Sequence, residues 1–508
     1  MCLSNKSYIK KIFFSLLALV ILFFTSKLML QGGGVNDSER QIFLLVILII
    51  FLSSSKKSFW FLVFPMCVIY AIYSPIGVMF GKPTYQYVAS VFATDFLESK
   101  EFFYQIPKVN YLYPFVIIFG VVLYRYIIVR FDIKLYRNKT VVIIAVIFSM
   151  LNQSPSEFFK TIIKSSIEVK NELVKLNEIK PKSDWGESFI DKSIYNTYIL
   201  VIGESARKDY HGAYGYPINN TPFMSRANGY LIDGLMSGGT NTVASLRLML
   251  TKPNVDRWEP NYSLNIIDLI KSAGIETYWI SNQGYFGKYD TPISAIASKS
   301  DHKFFLKSGD YASKNTSDFI LLDKIKDVVI NNHNKKFIVV HLYGSHPNAC
   351  DRINDYKKII NIKDKKYDYL SCYVSSIQKT DLFLEKLNNF MRENDNSYSM
   401  IYFSDHGLAH REIGGEIYFN NNRASKLHFD VPLFMISSDD DSRHECKSFK
   451  SGFNFVNGIA SWVGIKNKKI DSNYSLFDCN DDPNDFGVKK YIESIELELD
   501  PAIDLRGK

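Results

Sequence analysis

No histidine precedes His211, no two cysteines stand in a CxxC spacing, and no long basic run or single-residue tract interrupts the 508 residues. Each absence removes a class of function. Without CxxC spacing, a four-cysteine zinc module is a poor reading of the six cysteines. The formal charge of +8 is spread along the chain, which points to mild attraction to an anionic membrane surface and not to nucleic-acid binding. Any imidazole chemistry lies beyond residue 210, where all nine histidines occur. No internal repeat is visible. No small-residue cleavage site follows the first apolar stretch, so that stretch, preceded by Lys10 and Lys11, reads as an uncleaved anchor and not a signal peptide.

What the sequence does have is long hydrophobic runs, all before residue 153. Five stand out, at roughly 11–30, 41–54, 58–80, 113–129 and 140–152. A helix needs about 20 apolar residues to cross a bilayer, and these reach or approach that length with their flanks, the second and fifth being short. A membrane domain of five transmembrane helices over residues 1–152 is therefore expected. Loop charges orient it. Lys6, Lys10 and Lys11 precede the first run, Lys56 and Lys57 follow the second, and Arg130, Lys134, Arg137 and Lys139 follow the fourth. Loops 31–40 and 81–112 carry no such excess. Positive loops stay in the cytoplasm, so the N-terminus is inside and the fifth run exits outward. Everything beyond it is extracytoplasmic. Cysteine usage agrees: Cys350, Cys372, Cys446 and Cys479 all lie in the soluble part, an even number suited to disulfides in an oxidising compartment. Three pairings are open; proximity in sequence favours Cys350–Cys372 and Cys446–Cys479.

Residues 153–195 form a polar, Lys- and Glu-rich connector in which SEFFKTIIKSSIEVKNELVKL has the apolar spacing of an interfacial helix. From 196 to 508, short apolar runs alternate with amphipathic patterns. Strands are predicted at 198–203, 276–281, 336–343, 399–404 and 431–437. Helices are predicted near 263–273, 316–330, 375–394 and 453–463. Near-continuous apolar strands separated by helices mark an α/β domain with a mostly parallel central sheet. Ligands bind such sheets at the carboxyl ends of strands.

Three of those ends carry unusual residues: Gly203-Glu204-Ser205, Ser404-Asp405-His406-Gly407, and Gly344-Ser345-His346-Pro347. Oxygen and nitrogen donors of this kind suit zinc or manganese, one ion or two. A further segment, GGTNTVASLRLML (238–250), places Thr240 and Thr242 at a helix N-terminus, where free N–H groups and the dipole favour a phosphate. A threonine there is either a helix cap or, with a metal to lower its pKa, a nucleophile.

Four ordered segments resemble one family: VIGESARKDYHGAYGYPINNTPFM (201–224), GGTNTVAS (238–245), HLYGSHP (341–347) and YFSDHG (402–407). These are similar to the membrane phosphoethanolamine transferases that decorate lipid A and other Gram-negative surface glycans, members of the alkaline phosphatase and sulfatase superfamily. The resemblance implies a sulfatase-like catalytic domain at 196–508 in the periplasm and a multi-pass anchor in the bacterial inner membrane. It implies a zinc site of Glu204, Thr242, Asp405 and His406, Thr242 as nucleophile, and His346 as a contact to phosphoethanolamine. Phosphatidylethanolamine is the implied donor, lipopolysaccharide or another glycan the acceptor, and a monomer the expected state. Ser90, Thr94 and Glu98 sit where the family has an Asn, Thr and Glu on one helical face. Ser90 departs from that pattern. Gly238 and Leu248 stand where lipid A-modifying members often have cysteines. A second substrate-site histidine is missing from GGEIYFNN (414–421), leaving His410 or His428 to substitute. Two rival activities share the chemistry: a phosphoglycerol transferase of the lipoteichoic acid synthase type, and a tethered sulfatase or phosphodiesterase. No CxPxR-type motif of the sulfatases surrounds Thr242.

Overall fold

The computed structural model describes residues 2–53, 55–83, 85, 88, 96–104, 106–135, 144, 153–177, 183–284, 291–307, 315–395, 397–413, 415–420, 425–494 and 500–508. Two compact units divide the chain: Met1–Val88 with Ile106–Asn171, and Ala89–Gln105 with Glu172–Lys508.

The first unit contains α1 (Cys2–Gly32), α2 (Glu39–Leu52), α3 (Phe64–Phe80) and α4 (Tyr113–Arg130). Among the described residues, three helical spans are long and apolar enough to cross a membrane: Ile9–Gly32, Lys56–Phe80 and Lys108–Arg130. They match the first, third and fourth expected runs. The second run forms α2, whose 14 residues rise about 21 Å, short of a hydrocarbon core about 30 Å thick. The fifth, at 140–152, lies outside the described residues except for Ile144. The connector folds as α5 (Ser154–Asn177). Its early turns belong to the first unit, where Phe158 stacks on Tyr70 with ring centroids 4.4 Å apart.

The second unit is built on eight strands: β1 (Thr197–Gly203), β2 (Gly229–Met236), β3 (Glu276–Gly284), β4 (His302–Lys307), β5 (Lys336–His341), β6 (Tyr398–Ser404), β7 (Asp430–Ser437) and β8 (Arg443–Ser451). Their order is β8-β2-β7-β6-β1-β5-β3-β4. Only β7 runs antiparallel to its neighbours, so the sheet is mostly parallel as expected. Side chains alternate across it. Tyr198, Leu200 and Ile202 of β1 enter a core shared with α6 (Thr242–Met249), α7 (Ile266–Ser272) and α10 (Phe455–Val463). Ile199 and Val201 enter the opposite core, with α8 (Ile320–Asn331) and α9 (Asp368–Asn394). With helices on both faces, every residue of β1 is buried, which is why its sequence reads as one apolar run. Disulfides join Cys350 to Cys372 and Cys446 to Cys479, the pairing that sequence proximity favours.

Candidate metal centre and nucleophile

β1 and β6 lie side by side with Gly203 opposite Ser404, so the residues that follow them, Glu204 and Asp405, emerge as neighbours. His406 adds its imidazole. One donor atom from each of the three lies within 4.8 Å of the others, and all three side chains are buried. His406 Nε2 is 3.4 Å from Glu204 Oε1 and 3.4 Å from Asp405 Oδ2. The turn is held by backbone and hydroxyl donors. Ser205 sits in the left-handed region (φ 57°), a strained conformation for a non-glycine residue. Its N–H donates to Asp405 Oδ1 at 2.9 Å and its hydroxyl donates to Glu204 Oε1 at 2.6 Å. Gly407 follows His406 because a Cβ there would lie 2.7 Å from the Leu427 carbonyl and 2.8 Å from the Arg207 stem.

Thr242 is the first residue of α6, but it does not cap it. Asn241 does: its Oδ1 accepts the Ala244 N–H at 2.8 Å. The Thr242 hydroxyl is thereby left to the cluster, donating to Glu204 Oε2 at 3.0 Å and lying 3.5 Å from His406 Nε2. Gly239 permits the approach, since a Cβ there would meet Ala244 at 2.8 Å. The cap reading of Thr242 is thus replaced by a geometric one.

The donor set fits a divalent cation. Asp405 Oδ1 is occupied by the Ser205 and His406 N–H groups, whereas its buried Oδ2 accepts no hydrogen bond among the described residues. His406 Nδ1 donates to the Gly407 carbonyl at 2.6 Å, which commits that nitrogen and turns Nε2 toward the cluster. Burial alone would lower the His406 pKa, yet the Asp405 and Glu204 carboxylates raise it to about 9. Burial, with the Glu204 charge, pushes Asp405 up to about 7. Burial works to raise Glu204 as well, but the hydrogen bond and charge of His406 hold it well below the usual carboxylate range. Two buried carboxylates competing for one imidazole proton is an arrangement that a cation resolves.

The loop after β5 packs on this cluster. The Ser345 N–H donates to the Glu204 carbonyl at 3.0 Å, and a Cβ on Gly344 would lie 3.0 Å from the Glu204 nitrogen. His346, on that loop, stacks on Tyr343 at 4.8 Å. His410 is held elsewhere, with its Nδ1 3.1 Å from Arg207 and 3.3 Å from the Tyr210 hydroxyl; burial and the Arg207 charge lower its pKa to about 4. His428 is fully buried and its Nε2 accepts the Ala409 N–H at 3.0 Å. Ser90 and Thr94 fall outside the described residues, and of Glu98 only its place in the helix Phe96–Tyr104 is described. Two groups that sequence reasoning passed over also matter. Gln283, at the end of β3, reaches Glu204, and Arg207 anchors the loop behind it. Neither had a local signal beyond its place at or just after the end of a strand.

His211 follows Arg207 and is buried. Burial lowers its pKa to about 4, against the Arg207 carbonyl that accepts its Nδ1–H at 2.8 Å. An unfolded chain takes up that proton near the ordinary value of 6.5. Protonation therefore favours unfolding as pH falls from 6.5 toward 4, so stability present above 6.5 is lost below it. Between about pH 7.5 and about pH 5 the protein is expected to lose about 2 kcal/mol more than its His211→Gln variant, read from denaturant midpoints.

Residues 196–465 match the Sulfatase family. An Escherichia coli K12 protein, phosphoethanolamine transferase OpgE, is 33% identical over 433 residues, covering 80% of both chains. A Haemophilus influenzae protein, provisionally assigned as a phosphoethanolamine transferase, is 54% identical over 370 residues, 71% of this chain and 76% of that one. The chain belongs to the phosphoethanolamine transferase family. It is thus a sulfatase-fold enzyme of the transferase class. The fold of the transferase also resembles the integral membrane lipooligosaccharide phosphoethanolamine transferase A of Neisseria meningitidis, with a TM-score of 0.65 at 16% identity over 90% of this chain and 96% of that one.

Proposed function

We propose that this transferase moves phosphoethanolamine from phosphatidylethanolamine to a hydroxyl or phosphate of a lipopolysaccharide or other surface glycan, through a covalent Thr242 intermediate. The observation that carries the reading is the Thr242 hydroxyl, released from capping by Asn241 and set 3.0 Å from Glu204 Oε2. A zinc or manganese ion held by Glu204, Asp405, His406 and Thr242 would supply Lewis acidity, lowering the hydroxyl pKa and offsetting phosphoryl charge. In the first half-reaction Thr242 Oγ1 bonds to phosphorus and the phosphorus–oxygen bond to diacylglycerol breaks. The Thr242 proton, accepted through Glu204 Oε2, ends on the diacylglycerol oxygen. In the second, an acceptor oxygen bonds to phosphorus, the Thr242–phosphorus bond breaks, and the acceptor's proton passes by way of His346 to the departing Thr242 oxygen, which restores the hydroxyl. The N-terminal end of α6 presents its positive dipole end to the phosphoryl oxygens.

In this reading the catalytic unit faces the periplasm, where its two disulfides suit an oxidising compartment, and the apolar helices hold it in the inner membrane. The segment with Ser90, Thr94 and Glu98 would help hold the donor headgroup. The test is mass spectrometry of lipid A, inner core, O-chain and other glycan fractions from cells with and without the gene. A gene-dependent phosphoethanolamine adduct is expected, and the fraction carrying it names the acceptor. A phosphoglycerol adduct would overturn the donor. Release of phosphoethanolamine with no modified glycan would make the protein a hydrolase.

A further inference from the structure

Glu204 Oε2 has two partners, and the proposed cycle removes one. In the resting arrangement it accepts the Thr242 hydroxyl at 3.0 Å and the Gln283 side-chain amide at 3.3 Å. The amide orientation follows from its second contact. The same Nε2 lies 2.8 Å from the Leu342 carbonyl, which can only accept, so the atom there is the NH₂ group. One of its hydrogens is committed to Leu342 and the other is turned to Glu204. Gln283 therefore ties together the ends of three adjacent strands: its own β3, β5 through Leu342, and β1 through Glu204.

Once Thr242 Oγ1 is esterified to phosphorus it carries no hydrogen, and its bond to Glu204 is gone. Gln283 is then the remaining side-chain donor to Oε2 among the described residues. We propose that Gln283 is a positioning residue for Glu204, holding that carboxylate in its ligand geometry through the half of the cycle in which Thr242 can no longer do so. The inference rests on the metal and nucleophile reading above. A donor to a metal ligand acts by restricting the ligand's rotation, so its loss weakens metal binding and leaves the covalent intermediate in a poorly ordered site. Asn is one methylene too short to reach both acceptors, and Glu would face Glu204 with a second carboxylate.

The full-length protein in detergent supplies the test, using Gln283→Leu and Gln283→Asn. Zinc and manganese affinities are measured by chelator competition, and the fraction of phosphoethanolamine-modified Thr242 by intact mass after mixing with phosphatidylethanolamine alone and then with glycan acceptor. Both variants are expected to bind metal about 10- to 100-fold more weakly, while the Tm of the metal-free protein moves by no more than a few degrees. They are also expected to retain modified Thr242 longer after acceptor is added than the natural protein does. If Gln283→Leu fails to fold, Gln283→Asn carries the same measurements. Metal affinity and intermediate lifetime equal to those of the natural protein would overturn the proposal. A natural protein that binds neither metal and never modifies Thr242 would instead overturn the metal reading, and this inference with it.

Discussion

Thr242→Ala is expected to lower phosphoethanolamine transfer on the order of 10⁴-fold or more, while the protein stays folded. The residue sits at the first position of α6, but Asn241 provides the cap, so the helix start survives the substitution. What is lost is one hydroxyl, 3.0 Å from Glu204, whose removal costs roughly 1 kcal/mol of stability. Transfer from labelled phosphatidylethanolamine in detergent gives the rate, and intact mass gives the modified enzyme. Both signals should vanish together. Thr242→Ser keeps an oxygen at the site and should retain measurable transfer. An alanine variant with more than about a tenth of the natural activity would remove Thr242 from the mechanism, since nucleophile loss costs far more than that.

Arg207→Met is expected to destabilise the catalytic unit by about 3 kcal/mol and to lower activity along with metal affinity. The guanidinium is completely buried and fully engaged. Nε and Nη2 donate to the two Asp209 oxygens at 2.9 and 2.7 Å, while Nη1 reaches Asp500 Oδ2 at 2.9 Å and the Leu408 carbonyl at 3.1 Å. Burial would lower its pKa, but the charges of Asp209 and Asp500 keep it protonated. Removing it strands two partly buried carboxylates. It also frees the turn carrying Glu204, three residues earlier, from the segment that follows His406, where the Leu408 carbonyl accepts from Arg207. Asp500 is the other end of this brace, accepting the His410 N–H at 2.8 Å. A double-mutant cycle of Arg207→Met with Asp500→Asn should show a non-additive coupling of at least about 1 kcal/mol, measured by chemical unfolding. Lysine cannot replace the planar fork, so Arg207→Lys should fall well short of the natural stability. Additive effects would mean that the two groups do not act as one unit.

The strands that sequence reasoning found and those it missed differ in where they lie. β1, β5, β6 and β7 occupy the middle of the sheet and read as apolar runs; β3 lies next to an edge but keeps a continuous buried stretch along most of its length, so it reads the same way. β4 (HKFFLK) and β8 (RHECKSFKS) are the two edges, and their charged residues are the usual guard of an exposed edge, which blurs the apolar signal. β2 lies next to an edge and mixes buried with half-buried positions, with Asp233 and Gly234 in its middle. The candidate site was legible for a related reason. Glu204, Asp405 and His406 are acids and an imidazole in places where an apolar strand has just ended. Gln283 also stands at the end of such a strand, but a neutral amide carries no chemical flag of its own. His410 and His428 carried the flag without the position: both rings are spent on holding loops behind His406.

From the sequence alone came the division into an apolar N-terminal part and an α/β catalytic part, the pairing of cysteines by proximity, and the donor types at three strand ends. These are local properties, written in the hydrophobic period and in side-chain chemistry. Only the tertiary structure decided which of them act together. The register of β1 against β6 brings residues 201 positions apart into one buried cluster, and the choice of Asn241 as cap frees Thr242 to join it. Strand register and capping depend on neighbours distant in the chain, so no local pattern contains them; the partner on which a side chain spends its hydrogen bonds is settled in three dimensions.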